Sequence, residues 1–301
     1  MVSAASSRNK HRTGYGLRRL CSVNYSQAKE VKDDQEAQGM ERVFIIKIGG
    51  NVLDDSRALK KFLADFASIS SRKILIHGGG KIATRIGDKL GIQSRYVDGR
   101  RITDAETRDL VTMVYGGLVN KQIVSALQQL GCNAIGLTGA DGNVIPAEKR
   151  PVTVMDYGFV GDIKSTDVNI SWLRTLLGDG MVPVFAPLTH AEGNMLNTNA
   201  DTIASVLSIA LSREYHVRLV YCFEKKGVLR DVNDAGSVIH HMPRSLYDEL
   251  LSEKALADGI LPKLENAYAA IGAGVKEVLI GEAVDIKKNT GVETAGTLIT
   301  A

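Results

Sequence analysis

Two short runs of branched aliphatic residues end in glycine turns that lead straight into helical sequence. Val43–Ile48 is followed by Gly49-Gly50, and Lys73–His77 by Gly78-Gly79-Gly80. A strand that feeds a helix through a tight turn packs that helix on the sheet, and the next strand then arrives parallel to the first. The alternation continues along the chain. Strands are expected at Ala134–Leu137, Val182–Ala186, Arg218–Cys222, Glu277–Ile280 and Thr297–Thr300. Helices are expected at Ser56–Ser68, from the triple glycine to Leu90, and at Thr103–Leu130, Ser171–Leu177, Ala200–Leu211, Leu246–Ala257 and Pro262–Ala273. The segment 143–163, with its prolines and alternating valines, reads as one or more β-hairpins. The pattern predicts an α/β fold: a mainly parallel sheet with helices on both faces, a three-layer sandwich. With 44% hydrophobic but only 5% aromatic residues, its core must be aliphatic.

Ligands of such sheets bind beyond the carboxyl ends of the strands. Lys47 and the glycine turns lie at that edge. Glycine tolerates positive φ and lets backbone N–H groups approach an anion, and each helix start adds partial positive charge. Lys47 alone would read as a snorkelling edge residue; beside two glycine turns it reads as a phosphate ligand. Neither turn matches GxGxxG or GxxxxGK[ST], which argues against a dinucleotide fold or a P-loop. In NMLNTNAD, Asn197, Asn199 and Asp201 alternate just before a helix. The asparagine amides suit a carboxylate or an amide ligand, and Asp201 reads either as a helix cap or as a site acid. Lys263 follows DGILP at a helix start, where the dipole offers a cation nothing. It fits an anionic partner, or a solvated surface position.

Charge restricts the partners. Residues 1–39 carry seven Lys or Arg against four acids, an excess of three that equals the net charge of the whole chain. The neutral body offers no field for nucleic acid, so small molecules are the expected partners. No apolar run approaches the roughly 18 residues a bilayer span needs, so no membrane partner is expected. The three cysteines, Cys21, Cys132 and Cys222, show no metal-ligand spacing and fit a reducing compartment, with cytoplasmic location expected. Residues 1–39 read as a disordered extension, with an acid-poor start that also resembles a transit peptide.

KIGGNVL, HGGG, DGRRIT, MLNTNAD and DGILPK, in this order, resemble the amino acid kinase family from about Arg42 to Ala301. The resemblance implies the amino acid kinase fold. It also implies phosphoryl transfer from ATP, with Mg²⁺ carried by the nucleotide, to the γ-carboxylate of N-acetylglutamate. N-succinylglutamate stays open, as does a non-catalytic sensor on the same fold. By resemblance, Lys47 and Lys263 stabilise the transferring phosphoryl group and Asp201 orients both. Gly50 and Gly79 are main-chain phosphate donors. Gly79, Gly80, Arg101 and Asn197, with Asn199 beside them, hold the substrate, Arg101 pairing with its α-carboxylate. The adenine-nucleotide loop covers Glu224, Lys225, Lys226, Gly227, Val228 and Leu229, and a second nucleotide segment covers Ala255, Leu256 and Ala257. Glu224 stands where the family usually has Asp. Lys225 and Lys226 read either as phosphate contacts or as solvated lysines. Residues 40–212 form the lobe for the amino acid substrate and dimerisation, and 213–301 the ATP lobe. A γ-carboxylate is already ionised near pH 7, so no general base is needed and His77 reads as structural. The extension shows no amphipathic helix, and no leucine-rich helix precedes the last strand. The expectation is a homodimer insensitive to arginine.

Overall fold

The computed structural model describes residues 39–97, 99–231, 233–253, 256 and 260–301. The extension 1–38 and two of the expected nucleotide contacts, Ala255 and Ala257, lie outside the described residues. Arg42–Ala301 forms one compact unit.

In chain order the strands are β1 (Arg42–Ile48), β2 (Arg72–His77), β3 (Arg95–Val97), β4 (Arg100–Ile102), β5 (Ala134–Leu137), β6 (Glu148–Lys149) and β7 (Gly161–Asp162). Then follow β8 (Val182–Phe185), β9 (Leu188–Ala191), β10 (Asn194–Asn197), β11 (His216–Phe223), β12 (His241–Met242), β13 (Glu277–Glu282) and β14 (Thr297–Ile299). Eight of them form the central sheet, in the order β12-β14-β13-β11-β1-β2-β8-β5. Every neighbouring pair is parallel except β13 with β14.

Successive side chains of a strand face opposite sides of the sheet, and β1 serves two cores. Val43 and Ile45 join a cluster under the helices Ala200–Leu211 and Leu261–Gly272. Phe44, Ile46 and Ile48 join one under Ser56–Ala67 and Asn120–Gln129. Strands buried on both faces are what continuous runs such as VFII and ILI encode.

The expected strands and helices are present with shifts of a few residues. Three hairpins depart from the sequence reading. β3–β4 and β9–β10 are short antiparallel pairs in segments that carried no strand signal. Within 143–163 the pairing is only β6 with β7, two residues each. The stretch Ala105–Gln129 is one continuous helical element, but its middle, Thr112–Val119, is π-helical. By length and mean hydropathy this stretch could cross a bilayer. Its apolar residues Leu110, Val111, Val114, Val119, Ile123 and Leu127 instead pack into the second cluster.

Candidate active site

The carboxyl ends of β1, β2 and β11 meet at one edge of the sheet, because Lys47 is in register with both Ile76 and Tyr221. Lys47 ends β1, and its Nζ lies 2.8 Å from Asp201 Oδ1. Only 15% of the lysine side chain and 32% of the aspartate's is exposed, so the pair sits in a recess rather than in open water. Asp201 does not cap its helix. Asn199 does, its Oδ1 accepting from the N–H groups of Asp201 and Thr202 at 2.8 and 3.1 Å. That leaves the Asp201 carboxylate free to face the lysine, which settles one of the two readings of this residue. Around the pair, burial and the Asp201 charge push the Tyr221 phenol well above its ordinary range. Burial pushes the Cys222 thiol up to about 12, against the opposing pull of Lys47.

Beside this pair a cavity of about 230 Å³ opens under Gly78, Gly79 and Gly80. Arg101, Asn197 and Asn199 line it, joined by Tyr96, Arg100, Tyr115, Arg150 and Val160, none of which the sequence reading had singled out for the site. Arg101 is 94% buried and held from several sides. One terminal nitrogen donates to the Ser94 hydroxyl, the other to the Gly80 carbonyl and the Thr84 hydroxyl, each at 2.9 Å. The Tyr96 ring lies 4.8 Å beneath the guanidinium. Asn197 Nδ2 donates to Thr103 Oγ1 at 3.0 Å, which leaves its oxygen toward the cavity side without an assigned partner. The hairpins β3–β4 and β9–β10 carry these two residues, so the segments that escaped strand recognition are the walls of the site.

The nucleotide-side residues are arranged differently. Gly50 opens a short helix, Gly50–Asp54, against the stem of Lys81. Asn51 links two elements: its Oδ1 accepts from Lys81 Nζ at 2.7 Å, and its Nδ2 donates to the Glu224 carboxylate. Glu224 is thereby engaged by the first glycine turn. Lys225 and Lys226 are exposed at the end of β11. Gly227 packs where a Cβ would meet Thr297, and the Val228 N–H donates to Thr297 Oγ1 at 2.8 Å. The side chains of Val228 and Leu256 belong to the core, so any contact they make with a nucleotide is through the main chain. Leu229 bridges to Val238. Lys263, in the first turn of Leu261–Gly272, rests its Nζ 4.9 Å over the Phe223 ring. Among the described ion pairs, Asp201 is held by Lys47 alone.

A model of the amino acid kinase family matches residues 42–282. The chain belongs to the amino acid kinase family. Among its relatives, the acetylglutamate kinase of Bacteroides thetaiotaomicron is 55% identical over 252 residues, which is 83% of this chain and 97% of that protein. The acetylglutamate kinase of Parabacteroides distasonis is 53% identical over 253 residues, 84% of this chain and 98% of that one. Among solved structures, N-acetylglutamate synthase from Neisseria gonorrhoeae, complexed with coenzyme A and N-acetyl-glutamate, superposes with a TM-score of 0.71 at 21% identity. The match covers 86% of this chain and 59% of that one, and at such identity it shows the amino acid kinase fold alone.

Proposed function

We propose that the chain transfers the γ-phosphoryl group of ATP to the side-chain carboxylate of N-acetyl-L-glutamate, giving N-acetyl-L-glutamyl 5-phosphate for arginine biosynthesis. The observation that carries the reading is Lys47, an ammonium held 2.8 Å from Asp201 beside two glycine turns. It belongs to a chain whose relatives, matched over nearly their whole length, are named acetylglutamate kinase.

The acceptor carboxylate is ionised at neutral pH. One of its oxygens forms the new O–P bond as the bond from the γ-phosphorus to the bridging oxygen of ADP breaks, and no proton changes hands. The site's task is to bring two anions together and to neutralise charge on the transferring oxygens. Arg101, fixed by Gly80 and Thr84, takes the substrate's α-carboxylate. Asn197 and the main chain of Gly79 and Gly80 hold the rest of it, with Asn199 shaping the helix start beside it. Lys47, oriented by Asp201, and the main-chain N–H groups of Gly50 and Gly79 meet the phosphoryl oxygens. Lys263 joins them by leaving the Phe223 ring, a contact worth about 0.5–1 kcal/mol at a partly exposed site. Among the described residues no cluster of three or more His, Cys, Asp or Glu could hold a metal. That fits a Mg²⁺ carried by the nucleotide, which supplies further charge neutralisation when bound.

In this reading residues 40–212 bind the amino acid and 213–301 bind ATP through the loop Glu224–Leu229 and the segment around Leu256. The enzyme acts in the cytoplasm, which suits the free thiols of Cys132 and Cys222. It forms an arginine-insensitive homodimer through helices of the N-terminal half, where Met113 and Leu118 are exposed apolar residues. Light scattering and activity titrated with arginine test that assembly; a hexamer inhibited by arginine overturns it.

One observation supports a second acyl group. Arg100 and Arg150 also line the cavity, and a succinyl chain would bring a carboxylate to meet them. Arg150 is already engaged by Asp162 through two nitrogens, which favours acetyl. Hydroxylamine trapping of the acyl phosphate, run in parallel with N-acetylglutamate, N-succinylglutamate, glutamate and aspartate, decides. Trapping only with the free amino acids overturns the reading.

A further inference from the structure

His77 ends β2 and is fully buried. Its Nδ1 lies 2.6 Å from the Gly78 carbonyl oxygen, and its Nε2 lies 3.2 Å from Nδ2 of Asn120. A carbonyl only accepts, so Nδ1 carries the proton. Asn120 Nδ2 also donates to the Val184 carbonyl at 2.9 Å, which fixes the orientation of that amide. An amide nitrogen only donates, so Nε2 of His77 is bare. The two contacts together select the neutral Nδ1–H tautomer. Burial agrees, holding the imidazole pKa down at about 4 against the Gly78 hydrogen bond.

The carbonyl of Gly78 and the N–H of Gly79 are opposite ends of one planar trans peptide. An oxygen held against the buried imidazole sends that N–H out on the other side, where Gly78–Gly80 line the cavity. The Gly79 N–H has no acceptor among the described hydrogen bonds. Gly79 has φ +154°, and a Cβ there would lie 2.9 Å from the Tyr115 ring, so the turn has little room to relax.

Tyr115 and Asn120 are five residues apart. In an α-helix that separation puts side chains about 140° apart around the axis. Here the Asn120 N–H bonds to the Tyr115 carbonyl, an i to i+5 link of the π segment Thr112–Val119. A π turn stacks such residues on one face. Tyr115 therefore meets Gly79 while Asn120 meets His77. Gly136 completes the fit, since a Cβ there would fall on Asn120 Oδ1.

We infer that His77 and Asn120 are positioning residues that aim the Gly79 N–H into the cavity as an anion donor, and that the π segment keeps Tyr115 and Asn120 in the register this needs. Which anion the donor meets rests on the function proposed above; the aiming itself does not. Two substitutions separate positioning from packing. His77→Asn keeps a donor near the Nδ1 position, and His77→Gln keeps an amide near Nε2 but none facing Gly78. The expected result is a loss of about tenfold in kcat/KM for His77→Gln, the worth of about one hydrogen bond, with His77→Asn restoring most of it at equal melting temperature. Equal activity in the two, or losses that follow the melting temperature alone, overturns the inference. An imidazole ¹⁵N spectrum of the unaltered protein needs neither a variant nor turnover. It should show His77 as the neutral Nδ1–H tautomer at pH 7, and an Nε2–H tautomer overturns the aiming. An unaltered protein that makes no acyl phosphate defeats the proposed function instead, and leaves the tautomer measurement to judge this one.

Discussion

The sheet carries ionic groups at both of its ends, and they are used in opposite ways. At the amino ends of the parallel strands, Arg42 of β1, His216 and Arg218 of β11 and Glu277 of β13 gather in one cluster. Arg218 is 3% exposed; its Nε donates to Glu277 at 2.6 Å, and one terminal nitrogen donates to the carbonyls of Asn289 and Gly291 at 3.1 and 2.7 Å. At the carboxyl ends, Lys47 has one acid, Asp201, and the neighbouring glycine turns present N–H groups with no protein acceptor. The first cluster spends its hydrogen bonds on the chain, tying the Ile286–Asn289 region to the sheet. The second keeps donors in hand. A buried charge left short of partners costs stability unless something else arrives to meet it. That shortfall is how a ligand site differs from a structural ion cluster built of the same residue types.

The contrast makes opposite demands on two substitutions. Lys47→Ala should lower kcat by on the order of 10²–10³-fold, the cost of losing one charge-stabilising donor, with little change in stability. Adding Asp201→Asn to it should cost much less than Asp201→Asn does alone, because the two side chains act as a unit. Turnover measured by hydroxylamine trapping checks both, and a near-normal rate for Lys47→Ala would make this end structural too.

Glu277→Gln should do the reverse, leaving kcat alone while weakening the fold. Burial alone would raise the Glu277 carboxyl, but hydrogen bonds from His216 and Arg218 and the charges of Arg218 and Arg42 together bring it down from 4.5 to about 2. The unfolded carboxyl takes up its proton near its ordinary pKa and the folded one only near 2. The stabilisation is therefore complete above about pH 4.5 and disappears as pH falls through 2, with a ceiling of about 3 kcal/mol. His77 adds acid sensitivity of the same sign between its ordinary 6.5 and about 4, so the difference between unaltered protein and variant isolates Glu277. Denaturant titrations at several pH values measure it. A difference that does not shrink between pH 4.5 and 2 would show that the ion cluster is not its source.

Arg101→Ala sharpens the comparison within the site. Its guanidinium is fixed by Gly80, Thr84 and Ser94 before any ligand arrives. A carboxylate present in both ground and transition state is uniform binding, so KM for the acyl amino acid should rise about 10–100-fold while kcat holds. An unchanged KM would remove Arg101 from the substrate.

The two ends were unequally legible in the sequence. Branched runs such as Val43–Ile48 announce buried parallel strands, and the glycine turns mark the ligand edge, because both signals are local. The Lys47–Asp201 pair joins residues far apart in the chain, and only the resemblance to a family brought them together on paper. Hairpins β3–β4 and β9–β10 pass unnoticed because each strand has three or four residues and is rich in polar side chains. The π segment hides because TMVYGGLV suits either helical period; Gly116-Gly117 in mid-helix was the one hint of irregularity. Tyr115, Tyr96 and Thr84 escaped with it, since their roles come from what they touch. Asp201 and Asn199 lie two positions apart in one motif, and the sequence could not divide cap from site between them.

Asn199 gives the smallest expected effect. Its side-chain oxygen caps Ala200–Leu211, and it also lines the cavity. Losing a cap costs about 1 kcal/mol, and aspartate caps as well as asparagine does. Asn199→Ala should therefore lose about that much stability with KM nearly unchanged. Asn199→Asp should keep the stability, yet raise KM for the acyl amino acid, because it sets a like charge beside an anion site. Melting curves and KM measured on both variants separate the two roles. If Asn199→Ala raises KM as much as Asn199→Asp does, the amide binds the substrate directly. If neither substitution moves KM, Asn199 belongs with the structural groups at the other end of the sheet.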